Sequence, residues 1–275
     1  MWDTDWRGAA SQYERASSPR GREVVGGIPL EGFRLIERAL AAGHAPALVI
    51  AAATLLADPP PRFARLARRL ATLPGTTLVA APADVVGQLV DGRTFGDVVA
   101  LVPPPPALDL DAALGQTHRP VPLLVAAEIQ DPGNTGALIR TALAGGAAGF
   151  VALGGAEPFH PKAIRTSMGA IFRLPVLHLA LSDAALLRSA CGRAGVALVG
   201  LVTSGGAPLW EVTADARRPA LVVGGEAFGL SAPVRGLMDA LGTIPMADQV
   251  DSFSVNAAAS IALYEWRRRA GTVLR

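Results

Sequence analysis

"DPGNTGALIRTALAGG", residues 131–146, places a single cation in a long apolar setting: Arg140 is the only charged residue between Asp131 and Glu157. The stretch follows "VPLLVAAEI" at 121–129, an apolar run that predicts a strand buried on both faces. Signals of a helix start come next. Asp131 can cap the helix, Pro132 is tolerated in its first turn, and Gly133 permits close backbone approach. Asn134 then falls near the helix N-terminus, where free amides attract anions. Arg140 sits two turns further in. On its residues alone it is either a ligand-facing guanidinium or a surface arginine laying its stem over apolar atoms.

The same alternation continues on the C-terminal side. "AGFVAL", "LPVLHLA", "VALVGLV", "PALVVGGE" and "GTIPM" read as strands, separated by helical patterns such as "PKAIRTSMGAIF" and "DAALLRSACGRAG". "SFSVNAAASIALYEWRRRA" closes the chain as a long helix. The fold class is therefore α/β with a parallel sheet, and a ligand site is expected beyond the carboxyl ends of its strands. On the N-terminal side, residues 23–102 alternate in the same way and predict a small three-layer α/β domain. Four consecutive prolines, Pro103 to Pro106, open a stiff connector over 103–120, and residues 1–22 read as a flexible polar tail. The domain reading is thus tail 1–22, first domain 23–102, linker 103–120 and second domain 121–275.

Two further stretches carry candidate chemistry. In "LVVGGEAFGLS", residues 221–231, a buried strand runs into Gly224-Gly225, then Glu226 and Gly229. Glycines at a strand end let a ligand touch the backbone, and Glu226 is the polar group at that edge. The spacing is not that of a dinucleotide fingerprint. In "IPMADQVDSFSVNAAASIALYE", residues 244–265, Ser252, Ser254 and Asn256 cluster at the start of an alanine-rich helix. Either serine could simply be the N-cap.

Taken in order, the three stretches resemble the signature motifs of the SpoU (TrmH) family, RNA ribose 2′-O-methyltransferases of the SPOUT class. Asn134 and Arg140 match the first motif in spacing. Gly224, Glu226, Gly229 and Leu230 match the second, and Ile244, Pro245 and Met246 open the third. The resemblance covers about residues 121–268. It departs at Ser252-Phe253-Ser254-Val255-Asn256, where the family usually reads Ser-Leu-Asn-Val-Ser. It implies a trefoil knot in the C-terminal domain, S-adenosylmethionine as cofactor and a homodimer with the active site near the interface. The implied cofactor-binding positions are Gly224, Gly225, Ile244, Met246, Phe253, Ser254 and Asn256. The implied catalytic group is Arg140, Asn134, Glu226 and Ser252. A guanidinium is effectively never deprotonated, so Arg140 is expected to stabilise the developing alkoxide and bind the adjacent phosphate. Its apolar helix is expected to strengthen that interaction by lowering the local dielectric.

Residues 23–102 resemble, more loosely, the RNA substrate-binding domain that many of these enzymes carry. Arg62, Arg65 and Arg69 share one face of "PRFARLARRLA", with Arg68 beside them, and read either as an RNA-binding face or as a solvated one. Ribosomal RNA is favoured over transfer RNA as partner on the strength of that domain.

Composition bounds these readings. The chain has 275 residues, 51% hydrophobic and 17% charged, which suits a large buried core and excludes global disorder. Its longest apolar stretch, about residues 45–57, contains a proline and is too short to cross a bilayer. The N-terminus lacks an apolar segment of the secretory kind, so the expected location is cytoplasmic. Cys191 is the sole cysteine, and His44, His118, His160 and His178 are scattered, so no metal is expected. Lys162 is the one lysine among 25 basic residues, a bias that suits phosphate or reflects a GC-rich genome. Two alternatives stand beside the methyltransferase: a non-catalytic RNA-binding or ribosome-assembly protein on the same scaffold and, more remotely, a nucleotide-dependent oxidoreductase.

Overall fold

A computed structural model describes residues 2–90, 97–115, 122–212 and 219–270. The chain forms two compact units, Met1–Pro105 with Phe159–Arg165, and Pro106–Pro158 with Thr166–Arg275. The division falls inside the four-proline run.

The first unit contains α1 (Trp6–Arg15), α2 (Pro19–Val25), β1 (Ile28–Glu31), α3 (Phe33–Ala41), β2 (Leu48–Ala52), α4 (Ala53–Ala57), α5 (Pro61–Leu70), β3 (Thr77–Ala81), α6 (Ala83–Gln88) and β4 (Val98–Val102). Its sheet has the order β1-β4-β2-β3, with β2 and β3 parallel and β4 antiparallel to both its neighbours. Leu48, Ile50 and Ala52 alternate onto one face, where they pack with Ala10, Tyr13 and Ala16 of the N-terminal segment and Val86 of α6. Phe63, Leu66 and Leu70 form the buried stripe of α5.

Residues 2–22 are therefore not a free tail. Tyr13 is 2% exposed, and the buried Arg22 guanidinium donates to the Ala16 carbonyl at 3.0 Å, satisfying a backbone acceptor past the end of α1. Burial raises the Tyr13 hydroxyl well above its usual range. Ile28 to Glu31 form strand β1 immediately ahead of α3. Pro29 lies on an edge strand, where a missing N–H can be tolerated.

The second unit contains α7 (Leu110–Gly115), β5 (Leu123–Ala127), α8 (Pro132–Ala144), β6 (Gly149–Leu153), β7 (Val176–Leu179), α10 (Ala184–Ala194), β8 (Ala197–Val202), β9 (Ala207–Pro208), α11 (Leu209–Val212), β10 (Pro219–Val223), α12 (Ala232–Arg235), β11 (Ala240–Thr243) and α13 (Val255–Ala270), while α9 (Pro161–Thr166) belongs to the first unit except for Thr166. Its sheet runs β7-β6-β5-β10-β8-β11-β9, every pair parallel. Strands β5, β6 and β10 are buried at every residue, as a parallel sheet covered on both faces requires. The last predicted strand begins earlier than "GTIPM" suggests, with Ala240–Thr243 forming β11 and Ile244 to Met246 following it.

The expected linker is partly structural. The Leu108 amide donates to the Val176 carbonyl at 2.8 Å, and Leu108, Ala113 and Leu114 belong to the core of the second unit. Its remainder, 116–120, with His118, lies outside the described residues. No helix among the described residues is long and apolar enough to cross a membrane.

Candidate active site

Packing accounts for the apolar, glycine-spaced character of residues 131–146. Asp131 caps α8 through its carboxylate, which accepts the Gly133 amide at 3.1 Å, and Pro132 sits in the first turn. The C-terminal glycines admit a neighbouring helix. A Cβ on Gly145 would stand 2.7 Å from Leu263 Cδ1, so α13 lies against α8 at a distance that only a missing side chain allows. One face of α8, with Leu138, Ile139 and Ala142, is buried.

Arg140 is on the other face. It is exposed, and it has no hydrogen-bond or ion-pair partner among the described residues. The expected apolar wall around it is absent within the described residues of the single chain. The apolar neighbours in sequence are turned to the core, and the guanidinium is turned out.

At the N-terminal end of α8 the three candidate stretches meet. Asn134 Nδ2 donates to Glu226 Oε1 at 2.7 Å, and Asn256 Nδ2 donates to Asn134 Oδ1 at 3.4 Å. One chain of side-chain amides therefore joins α8, the loop after β10 and the start of α13. The donor order leaves Glu226 as the acceptor at its end. Asn256 Oδ1 is buried without a hydrogen-bond partner among the described residues.

The loop after β10 is a tight glycine structure. Gly225 and Gly229 exchange both backbone hydrogen bonds, at 3.1 and 2.9 Å, and Gly229 has φ +65°. A Cβ on Gly224 would lie 2.2 Å from the Gly229 carbonyl carbon and 2.4 Å from the Leu230 nitrogen. On Gly225 it would lie 3.0 Å from the carbonyl oxygen of Glu128, a residue held at φ 59° where β5 ends. The loop is seated by its neighbour: a Cβ on Gly200 of β8 would stand 2.7 Å from Leu230 Cδ1 and 2.9 Å from Met238 Cγ.

A cavity of about 420 Å³ opens beside this loop, within the usual size of small-molecule sites. Its walls come from the segments following β8, β10 and β11, with the first turn of α13. This is the carboxyl edge of the parallel sheet. Of the predicted residues, Gly224, Gly225, Glu226, Ile244, Met246, Ser252 and Phe253 line it.

Asn134, Arg140, Ser254 and Asn256 do not line the cavity. Ser254 caps α13 instead. Its hydroxyl accepts the Ala257 amide at 3.3 Å, and its carbonyl accepts the Ala258 amide at 2.9 Å. Asn256 faces Asn134 rather than the cavity, because it lies two residues further along, in the first turn of that helix. The lining also includes residues that the motifs do not single out: Leu201 to Ser204 at the end of β8 and just past it, Phe228, Arg235 and Asp251. For the first of these the signal was available, since a small polar turn at the end of a buried parallel strand is where such sites form.

The expected RNA-facing arginines divide. Arg62 forms a two-pronged ion pair with Glu37, Nε reaching Oε2 at 2.8 Å with Nη2 beside it, and stacks over Phe33. Arg69 donates to the Leu40 carbonyl at 3.3 Å. Both are engaged with α3, because α5 packs against it. Arg65 and its neighbour Arg68 are exposed, with no partner among the described residues.

The residues fit S-adenosylmethionine by chemistry. Close backbone at Gly224 and Gly225 and the apolar side chains of Leu201, Ile244 and Met246 suit an adenosine, while Thr203, Ser204 and Ser252 offer hydroxyls for the polar parts.

Known proteins resemble this chain over most of its length. Residues 122–264 match the model of the SpoU rRNA methylase family. The chain is 32% identical over 273 residues to an uncharacterized tRNA/rRNA methyltransferase of Synechocystis, an alignment covering 94% of this chain and 90% of that one. It is 32% identical over 225 residues to the 23S rRNA (uridine(2479)-2′-O)-methyltransferase of Streptomyces viridochromogenes, covering 77% and 74%. Among solved structures, the SpoU methyltransferase AviRb of Streptomyces viridochromogenes in complex with AdoMet superposes with a TM-score of 0.81 at 27% identity, over 96% of this chain and 98% of that one. With the motifs joined in space and the match spanning most of the second unit, the chain belongs to the SpoU rRNA methylase family.

Proposed function

We propose that this protein transfers a methyl group from S-adenosylmethionine to the 2′-hydroxyl of a ribose in ribosomal RNA. The observation that carries the reading is the Asn256–Asn134–Glu226 chain of hydrogen bonds at the rim of the glycine-walled cavity. When bound, S-adenosylmethionine supplies an electrophilic methyl group on a sulfonium. Gly224, Gly225, Ile244, Met246 and Phe253 would hold its adenosine portion.

The protein's own groups then handle the sugar. Glu226 keeps one carboxylate oxygen for Asn134 and has the other to accept from a ribose hydroxyl. Ser252 lines the cavity with no partner of its own among the described residues, so its hydroxyl is available to the same sugar. Asn134 is held by Asn256, so the exchanged serine and asparagine of the third motif leave a polar contact at this point.

Arg140 completes the site from a second copy. Its guanidinium is exposed on α8, and Tyr264, 69% exposed, lies on α13, which packs against α8. A partner laid over these helices would bring one protomer's Arg140 towards the cavity of the other and exclude water around it, which strengthens its hold on developing negative charge. A homodimer is therefore part of the reading. The implied trefoil knot would involve the chain from β10 onward, where β10 is inserted between β5 and β8 before β11 and α13 follow. The first unit would grip RNA, with Arg65 and Arg68 among its free cations, and a ribosomal substrate would put the enzyme in the cytoplasm.

The test is to map 2′-O-methyl groups in total RNA from cells with and without the gene. One ribosomal position should lose its methyl group in the deletion and regain it on incubation with purified protein and S-adenosylmethionine. Unchanged ribosomal RNA, or a protein that binds no S-adenosylmethionine, would instead favour a non-catalytic RNA-binding role.

A further inference from the structure

Phe228 is 95% exposed, the most solvent-accessible large apolar side chain among the described residues. It stands on the five-residue loop closed by Gly225 and Gly229, two residues after Glu226, and both residues line the same cavity. Arg235 lines it too. That guanidinium is exposed, passes 3.8 Å from where a Cβ of Gly205 would be, and has no hydrogen-bond or ion-pair partner among the described residues. A bare aromatic ring and a free cation thus share the rim of a site where a sugar must be presented.

We propose that Phe228 and Arg235 form a nucleotide subsite. Phe228 stacks on an unstacked base at the target ribose, and Arg235 holds a neighbouring phosphate. The inference rests on the RNA methyltransferase reading above and adds the means by which the acceptor nucleotide is held. In this subsite the acceptor nucleotide leaves the surrounding stack to seat its 2′-hydroxyl in the cavity, and its base then lies one glycosidic bond from the reacting sugar. An aromatic face at the rim replaces the lost stacking and accepts any base, since every base has a π-face. The closed glycine loop presents the ring without a neighbour to cover it. A guanidinium lining the same cavity supplies the charge that tracks the phosphate backbone.

The test uses full-length protein, unmodified large-subunit ribosomal RNA made by transcription, and S-adenosylmethionine. Phe228→Tyr should bind and methylate this RNA as the natural protein does. Phe228→Leu and Phe228→Ala should lose about five- to a hundred-fold in RNA affinity and in kcat/KM, the range that one base–aromatic stack carries. Affinity for S-adenosylmethionine should stay within about two-fold, because the residues assigned to the cofactor, Gly224, Gly225, Ile244, Met246 and Phe253, are untouched. Arg235→Ala should shallow the salt dependence of RNA binding by about 0.7, one single-strand phosphate contact.

An equal loss of S-adenosylmethionine affinity in Phe228→Ala would assign the ring to the cofactor and overturn the proposal. So would a Leu variant as good as the Tyr variant, a Phe228→Ala protein that changes from dimer to monomer, or RNA binding indifferent to residue 228. Phe228-dependent binding of this RNA without methyl transfer would leave the subsite standing and overturn the ribosomal methyltransferase reading instead.

Discussion

Asn134 and Glu226 are 92 positions apart in sequence and 2.7 Å apart in space, with the amide nitrogen donating to the carboxylate. The contact fixes the orientation of both groups: Asn134 must present its nitrogen to Glu226, so its oxygen faces Asn256. Glu226→Gln, which replaces an acceptor-only carboxylate with an amide, should lower kcat by about a hundred-fold, the scale of a slightly misplaced reacting group. S-adenosylmethionine affinity should hold, because the backbone of the loop is untouched. Single-turnover methylation beside calorimetric titration separates the two quantities.

Arg140→Ala should lower the methyl-transfer rate by about a hundred- to a thousand-fold, the scale of losing one preorganised donor to a developing oxyanion. The fold should be unaffected, since the side chain is exposed and unpartnered among the described residues. Mixing this variant with a Glu226→Gln variant should restore part of the activity, because a mixed dimer would carry one cavity with both natural residues. A mixture no more active than its components would refute the shared site.

Gly224→Ala should abolish S-adenosylmethionine binding in an otherwise folded protein. The new methyl would sit 2.2 Å from the Gly229 backbone, and backbone cannot swing aside as a long side chain can. Circular dichroism should remain that of the natural protein while titration of the cofactor loses its heat.

In the first unit, Arg65→Ala and Arg68→Ala should each shallow the salt dependence of RNA binding by about one contact, and Arg62→Ala by less. Arg62 is already neutralised by Glu37, whose hydrogen bond raises its pKa further. Binding measured over a series of salt concentrations gives the slopes.

Glu265 makes the closing helix sensitive to acid. Hydrogen bonds from Arg268, then Arg269, lower its carboxyl to about 2. A carboxylate whose pKa is depressed on folding stabilises the protein above its unfolded pKa and loses that contribution as pH falls through the folded one. Glu265→Gln should therefore melt about 1–3 °C lower at pH 7, a modest shift because exposed ion pairs are weak. The gap should close as pH falls from the ordinary glutamate value of 4.5 to about 2. Thermal melts of both proteins across that range provide the check.

Long periodic elements were legible without coordinates. Buried strands such as Leu123–Ala127 and Pro219–Val223 announce themselves by unbroken apolar runs, and Asp131-Pro132 marks a helix start. Short or unusual elements were not. Pro29 hid an edge strand, and the polar N-terminal segment hid two helices whose anchors, Tyr13 and Ala16, are isolated apolar residues. At the site, motif order identified Asn134 and Glu226, but not which neighbour each would bind. Ser254 and Asn256 lie two residues apart, yet helix geometry gives one to the cap and the other to Asn134. The exposure of Arg140 was illegible for a different reason: an apolar sequence around a residue does not say which side of the helix is covered.

The bare position at Gly200 has a genetic consequence. It belongs to a strand, far along the chain from Asn134 and carrying no reactive group, yet it is the notch that receives Leu230. A single methyl there would push on the anchor of the very segment that bears Glu226. In a screen for silenced enzymes, lesions at this codon should therefore be scored with those of the reacting residues, although the substituted atom never meets either substrate.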